Sequence, residues 1–203
     1  MIIRILNLTN NTNKILETRL LLERLYPGVE FIVDGMPDSI RKIEIQEEEL
    51  EKIALYTLEN ALDQIREAEK WDIIMREDSG LFIESLKGFP GPFSSYVYKT
   101  IGLEGVLKLL EEKNNREAYF KAVIAYRFKG EKNLRLATGI VRGRISREIR
   151  GFKGFGFDPI FIPENYDKTF AELGEDIKIW ISHRGRALKE VIDEYMKKRS
   201  SSS

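Results

Sequence analysis

Two long β patterns, at residues 118–128 and 134–146, constrain this chain more than any other feature. Between them, Lys129-Gly130-Glu131-Lys132-Asn133 reads as a hairpin turn. Shorter apolar runs at 2–8, 29–33, 71–75 and 81–83 read as further strands, and 159–162 is another apolar run. Helical patterns fall between them, at 14–25, 48–70, 105–113 and 184–197. In the first, Leu16 with Leu20 and Leu21 with Leu25 have i,i+4 spacing and are expected on the buried side. In the second, Leu50, Ile53, Ala54, Ala61, Ile65 and Ala68 mark one face. Residues 87–95 are rich in Gly, Pro and Ser and read as loop. The fold class expected is α/β, with helices on a mixed sheet and the long hairpin as a second lobe.

A chain of 203 residues suits a single domain, expected over 1–199 with a frayed tail at 200–203. With 42% hydrophobic and 33% charged residues it is composed like a globular protein, not a disordered one. Lys+Arg and Asp+Glu both number 33, so no basic excess favours a nucleic-acid partner. The absence of cysteine excludes disulfides, thiolate metal sites and cysteine nucleophiles. No run approaches the roughly 18 apolar residues that a membrane span needs. The opening Met1-Ile2-Ile3-Arg4-Ile5 is not a secretory leader, so no membrane partner and a cytoplasmic setting are expected.

Four constellations carry possible chemistry. Thr9-Asn10-Asn11-Thr12-Asn13-Lys14 joins a strand to a helix, where backbone N–H groups and the positive end of the helix dipole attract anions. Thr9, Asn11 and Lys14 can complete a triphosphate cradle; a plain helix cap by Thr12 or Asn13 is the other reading. Glu44, Glu77 and Asp78 offer hard oxygen donors of the kind that suits Mg²⁺, and one carboxylate can take a proton from an attacking water. Neighbours on a strand point to opposite faces, so Glu77 and Asp78 share a site only if the chain turns, which Gly80 would allow. Phe155-Gly156-Phe157-Asp158 can stack on and hydrogen-bond a flat base, or its aromatics can plug the core. Lys178, His183 and Arg184 make a compact group of donors, Arg184 with paired N–H groups, and Ser182 is a candidate cap for the last helix. His183 is the only histidine, which rules out a multi-histidine metal site.

Taken together, the chain resembles the inosine/xanthosine triphosphate pyrophosphatase (Ham1) family. The likeness rests on seven segments in the family's order: Thr9-x-Asn11-x-x-Lys14, Ile43-Glu44-Ile45-Gln46, Glu77-Asp78-Ser79-Gly80-Leu81, Gly88-Phe89-Pro90-Gly91-Pro92-Phe93-Ser94-Ser95, Phe155-Gly156-Phe157-Asp158-Pro159, Lys168-Thr169-Phe170-Ala171-Glu172 and Ser182-His183-Arg184-Gly185-Arg186-Ala187.

The resemblance implies an elongated α/β fold with a cleft between two lobes, and a homodimer. It implies Mg²⁺-dependent hydrolysis of dITP, ITP and XTP to the monophosphate and pyrophosphate, clearing the nucleotide pool of deaminated purines. Thr9, Asn11 and Lys14 would hold the triphosphate. Glu44 and Glu77 would place the metal with Asp78, and Asp78 would be the general base. Ser79 would lie beside the substrate. Phe155 would stack on the base, with Gly156, Phe157 and Asp158 completing its pocket. Lys178 would contact phosphate or base, while His183 and Arg184 would read the 6-oxo group. Tyr56, Ile179 and Trp180 depart from the family's usual residues, and the helix before Trp71 is longer than usual. Two competing classes are a pyrophosphatase for modified pyrimidine or methylated nucleotides and a non-enzymatic nucleotide sensor or RNA-binding module. A pure anion binder gains nothing from three carboxylates beside a phosphate.

Overall fold

A computed structural model of the chain describes residues 1–41, 43 and 45–201. The chain divides into two compact units, each gathered from separate stretches of sequence. One consists of Met1–Asp78, Val123–Thr138 and Gly185–Ser203; the other of Ser79–Ala122 and Gly139–Arg184.

The first unit is built on parallel strands. β1 (Ile2–Asn7) pairs with β2 (Glu30–Asp34), Ile3 opposite Phe31, and with β3 (Ile73–Ile83), Leu6 opposite Ile74. Parallel neighbours need crossovers. Helix α1 (Thr12–Leu25) lies in the first and α2 (Leu50–Leu62) in the second. Ile3, Ile5, Leu6, Leu21, Leu22, Val33, Leu58 and Ile73 are buried in this unit.

Both helices depart from the expected pattern. α1 buries Glu17, Thr18, Leu21 and Leu22 while Leu16 is 59% exposed, so its inner face is rotated from the one the leucines suggested. α2 stops at Leu62 instead of continuing to residue 70. There the Gln64 side chain donates to the Asn60 carbonyl at 3.0 Å and accepts from Arg41 N at 2.8 Å, replacing the next helical bond. A short 3-10 turn at Ala68–Lys70 follows. The closing helix α7 (His183–Ser201) falls where a helix is expected, buries Ala187, Leu188, Val191 and Ile192, and runs past residue 197. Ser201 Oγ donates back to the Lys197 carbonyl at 3.0 Å. Of the tail expected at 200–203, Ser202 and Ser203 lie outside the described residues.

The second unit holds antiparallel pairs. β4 (Pro90–Gly91) runs antiparallel to β3, Leu81 opposite Gly91. β5 (Glu117–Phe128) lies between β3 and β6 (Arg135–Ile145), and β7 (Phe161–Pro163) pairs antiparallel with β6. Helices α3 (Ser94–Thr100), α4 (Gly102–Leu109), α5 (Phe170–Leu173) and α6 (Glu175–Ile181) complete it. Leu81, Val97, Val106, Phe120, Phe157, Phe161 and Phe170 belong to its core. A mixed sheet with flanking helices is therefore the fold class, as expected.

Two expectations need correcting. The long hairpin is not a lobe of its own: β5 and β6 each contribute one part to each unit. At roughly 3.3 Å per residue, strands of 11 and 12 residues are long enough for that. Nor does the chain turn at residues 76–80, because β3 continues through them without a break. Gly80 serves close approach instead. A Cβ there would fall 2.2 Å from the Gly91 carbonyl oxygen, so only glycine lets β4 pair at that position.

Candidate active site

The parts predicted to handle phosphate lie in the first unit. Asn11 is the N-cap of α1, in place of Thr12 or Asn13: its Oδ1 accepts from Asn13 N at 3.0 Å and Lys14 N at 3.4 Å. Its amide nitrogen remains as the end of the side chain that suits an anion. Thr9 is buried, and its hydroxyl accepts from Asn11 N at 3.1 Å, which fixes the bend before the helix. Lys14 projects from the first turn of α1 to β3, where its ammonium donates to the Glu77 carbonyl at 3.2 Å and lies 3.3 Å from Glu77 Oε1. The Glu77 side chain is only 2% exposed, so this ion pair is largely shielded from solvent.

Because β3 is unbroken, Arg76 and Asp78 point to one face and Glu77 to the other. Arg76 grips Asp78 through two bonds, Nε to Oδ2 and Nη2 to Oδ1, each 3.1 Å. Its remaining branch, Nη1, donates to the Leu8 carbonyl at 2.7 Å. Asp78 stays 17% exposed. The strand thus carries two carboxylates with different settings: Glu77 enclosed against a lysine, Asp78 reachable by water and held by an arginine.

The base-binding candidates lie in the second unit. Asp158, buried, accepts at Oδ2 from Phe155 N and from the Lys178 ammonium, both at 2.9 Å. That carboxylate folds the 154–158 loop around itself. Gly154 makes this possible, since its φ is +77° and a Cβ would fall 2.2 Å from Asp158 Oδ2. The half-buried Phe155 ring then has two cations beside it, Lys178 Nζ at 4.7 Å and Arg184 Cζ at 5.5 Å from its centre. Arg184 also donates from Nη2 to Ser79 Oγ at 3.4 Å. The His183 ring lies flat on Phe120, 4.7 Å between centres and 9° from parallel. Phe120 packs in turn on Phe161 at 4.6 Å and Phe170 at 6.2 Å, so an aromatic stack fixes the imidazole. Capping of α5 by Thr169, paired with Glu172, secures the chain between the loop and α6.

Phe157 is 4% exposed, sits in the core and meets Tyr98 edge-on at 5.6 Å. Of the two aromatics in the loop, the core-plug reading fits Phe157, while Phe155 is only half-buried. Gly156, with φ +62°, carries the turn between them. Glu44 lies outside the described residues. Among the described residues, no group of three or more His, Cys, Asp or Glu is gathered as a metal cluster. Likewise among them, no helix is long and apolar enough to cross a membrane.

Sequence reasoning missed Arg76, Phe120 and Gly154. Arg76 had a signal, because residues two apart on a strand share a face and Arg76 and Asp78 have opposite charges. Phe120 had none, since nothing local ties residue 120 to residue 183.

The Ham1 family model matches residues 5–194. A dITP/XTP pyrophosphatase of Thermococcus kodakarensis is 47% identical over 187 residues, covering 92% of this chain and 94% of that protein. One from Ignicoccus hospitalis is 44% identical over 184 residues, covering 91% and 92%. Among solved structures, a HAM1 protein from Coxiella burnetii superposes with a TM-score of 0.79 at 30% identity, covering 96% of this chain and 99% of its own.

Proposed function

This chain belongs to the Ham1 family, and on that premise we propose that it hydrolyses the triphosphates of deaminated purines, dITP, ITP and XTP. Water attacks the α-phosphorus, the bond to the oxygen bridging the α and β phosphates breaks, and the nucleoside monophosphate and pyrophosphate leave. The single observation that carries this reading is the Lys14–Glu77 contact at 3.3 Å. It joins the lysine of an anion-binding helix start to an acidic strand 63 residues away.

In this reading Thr9, Asn11 and Lys14 bind phosphate oxygens, and the N-terminal end of α1 favours their charge. Asp78 takes the proton of the attacking water. Glu77 and Asp78 point to opposite faces of β3 and Glu44 lies outside the described residues, so the three do not stand as one donor set. Mg²⁺ binds through as few as one or two hard carboxylates plus substrate phosphates, and a single carboxylate of this strand would be enough to hold it. When bound, Mg²⁺ neutralises developing charge on the phosphate oxygens. Phe155 stacks on the base, and Gly156, Phe157 and Asp158 shape the loop that presents it. Lys178 supports the ring's electron-rich face, Ser79 steadies Arg184, and Arg184 with His183 donates to the 6-oxo group. Adenine has an amino donor at that position. Donors left unsatisfied cost about 1–3 kcal/mol each, which for two amounts to discrimination of about 30-fold to 10⁴-fold.

Pyrophosphate release from dITP, XTP, dATP, dGTP and dUTP, with Mg²⁺ and with chelator, tests the reading. Mg²⁺-dependent release from dITP and XTP is expected, with dATP slower by about 30-fold to 10⁴-fold. Equal turnover of dATP would refute the base assignment, and release undiminished by chelator would refute the metal.

The proposal extends to one catalytic domain over residues 1–199 and a cytoplasmic setting, both expected from the sequence itself, and to a homodimer, which the family resemblance implies. Light scattering on a purified sample is expected to give twice the mass of one chain. A mass of one chain would remove the dimer.

A further inference from the structure

We propose that Arg76 is a positioning residue for the reaction, locking the plane of the Asp78 carboxylate and tying it to the start of the anion-binding loop. This rests on the reading of Asp78 as the base. The geometry is specific. Arginine has five N–H donors in one rigid plane, and here three separate nitrogens are committed. Nε and Nη2 meet the two oxygens of Asp78, each at 3.1 Å, which fixes the carboxylate's rotation about its own axis as a single contact cannot. Nη1 meets the Leu8 carbonyl at 2.7 Å. Leu8 directly precedes Thr9, and its own N–H donates to the Met75 carbonyl at 2.8 Å. The guanidinium is therefore a bracket between β3 and the residue from which the phosphate cradle begins.

Placement follows from strand geometry. Arg76 and Asp78 are two apart on an uninterrupted strand and must share a face. Arg76 is itself 8% exposed, so the pair keeps its geometry with little competition from water on the arginine side. A proton acceptor works only when its oxygen faces the attacking water within hydrogen-bond reach, and small misplacements are expensive in rate. Binding a phosphate makes no such demand on Asp78. A bracket of this kind should thus act on turnover and leave substrate affinity nearly untouched.

Lysine cannot replace the arginine, because one ammonium cannot make two parallel bonds to a carboxylate and also reach a carbonyl on the other side. Arg76→Lys and Arg76→Met are both expected to lower kcat for dITP by about 10–100-fold, with KM changed less than about threefold. In an Asp78→Asn background, Arg76→Met is expected to cause no further loss of kcat. Free guanidinium ion should restore part of the activity of Arg76→Ala. Independently of turnover, melting temperatures of the two single variants and the double variant are expected to be non-additive.

Three results would overturn the bracket: full kcat in Arg76→Lys, a loss confined to KM, or equal losses in the wild-type and Asp78→Asn backgrounds. Should Arg76→Met fail to fold, Arg76→Lys, which keeps the charge, carries the comparison. Absence of any pyrophosphate release by the wild-type protein would instead overturn the proposed function, and additive melting temperatures would separately remove the Arg76–Asp78 coupling.

Discussion

Asp78→Asn is expected to lower kcat for dITP by about 10²–10⁴-fold, the range that a positioned general base contributes. Asparagine keeps the size and one acceptor oxygen of aspartate, but it cannot take a proton from water. Glu77 is the poorer candidate for that step despite being its neighbour. Its carboxylate is 2% exposed and lies against Lys14, whereas Asp78 is 17% exposed and held on one side only, by Arg76. Water reaches the second carboxylate and not the first. Glu77→Gln should therefore act chiefly on the Lys14 ion pair, raising KM and lowering the melting temperature more than Asp78→Asn does. Initial rates of pyrophosphate release at saturating Mg²⁺, with melting curves for both variants, decide this. An Asp78→Asn enzyme within about threefold of wild-type kcat would remove Asp78 from the base's role.

What could be read beforehand divides along a physical line. Periodicity located β1, β2, β5, β6 and α7, because in each the apolar positions repeat over enough residues to define a face. It missed α5 and α6, which at four and seven residues are too short to establish a period. It also mistook α1, where the leucines at 16 and 20 sit away from the core and Glu17 and Thr18 are buried in their place. At the site, the Thr9–Asn11–Lys14 spacing was readable because all three sit on one local turn. The break expected at Ser79-Gly80 was wrong for an instructive reason. Glycine permits a turn, but at Gly80 its missing side chain instead admits the Gly91 carbonyl. Contacts such as His183 on Phe120 depend on residues 63 positions apart, and no local pattern encodes them.

The buried ion pair of the second unit leads to the other large effect. Lys178 and Asp158 are 3% and 4% exposed in their side chains and 2.9 Å apart. Lys178→Met removes the cation and leaves a carboxylate shut away from water, a change that costs about 3–5 kcal/mol. For a chain of this size the melting temperature should fall by roughly 6–20 °C, at 2–4 °C per kcal/mol. The pair itself contributes less than that figure suggests, because burying two charges is costly and their attraction only offsets it. Adding Asp158→Asn to Lys178→Met should therefore recover most of the loss, since the neutral amide can still accept from Phe155 N while the stranded charge is gone. Activity should not recover with it. Lys178 also lies over Phe155, so the double variant keeps a folded loop but presents a ring without its nearer cation, and its KM for dITP should stay elevated. A double variant no more stable than Lys178→Met would mean that the cost comes from lost packing of the lysine stem and not from the abandoned carboxylate.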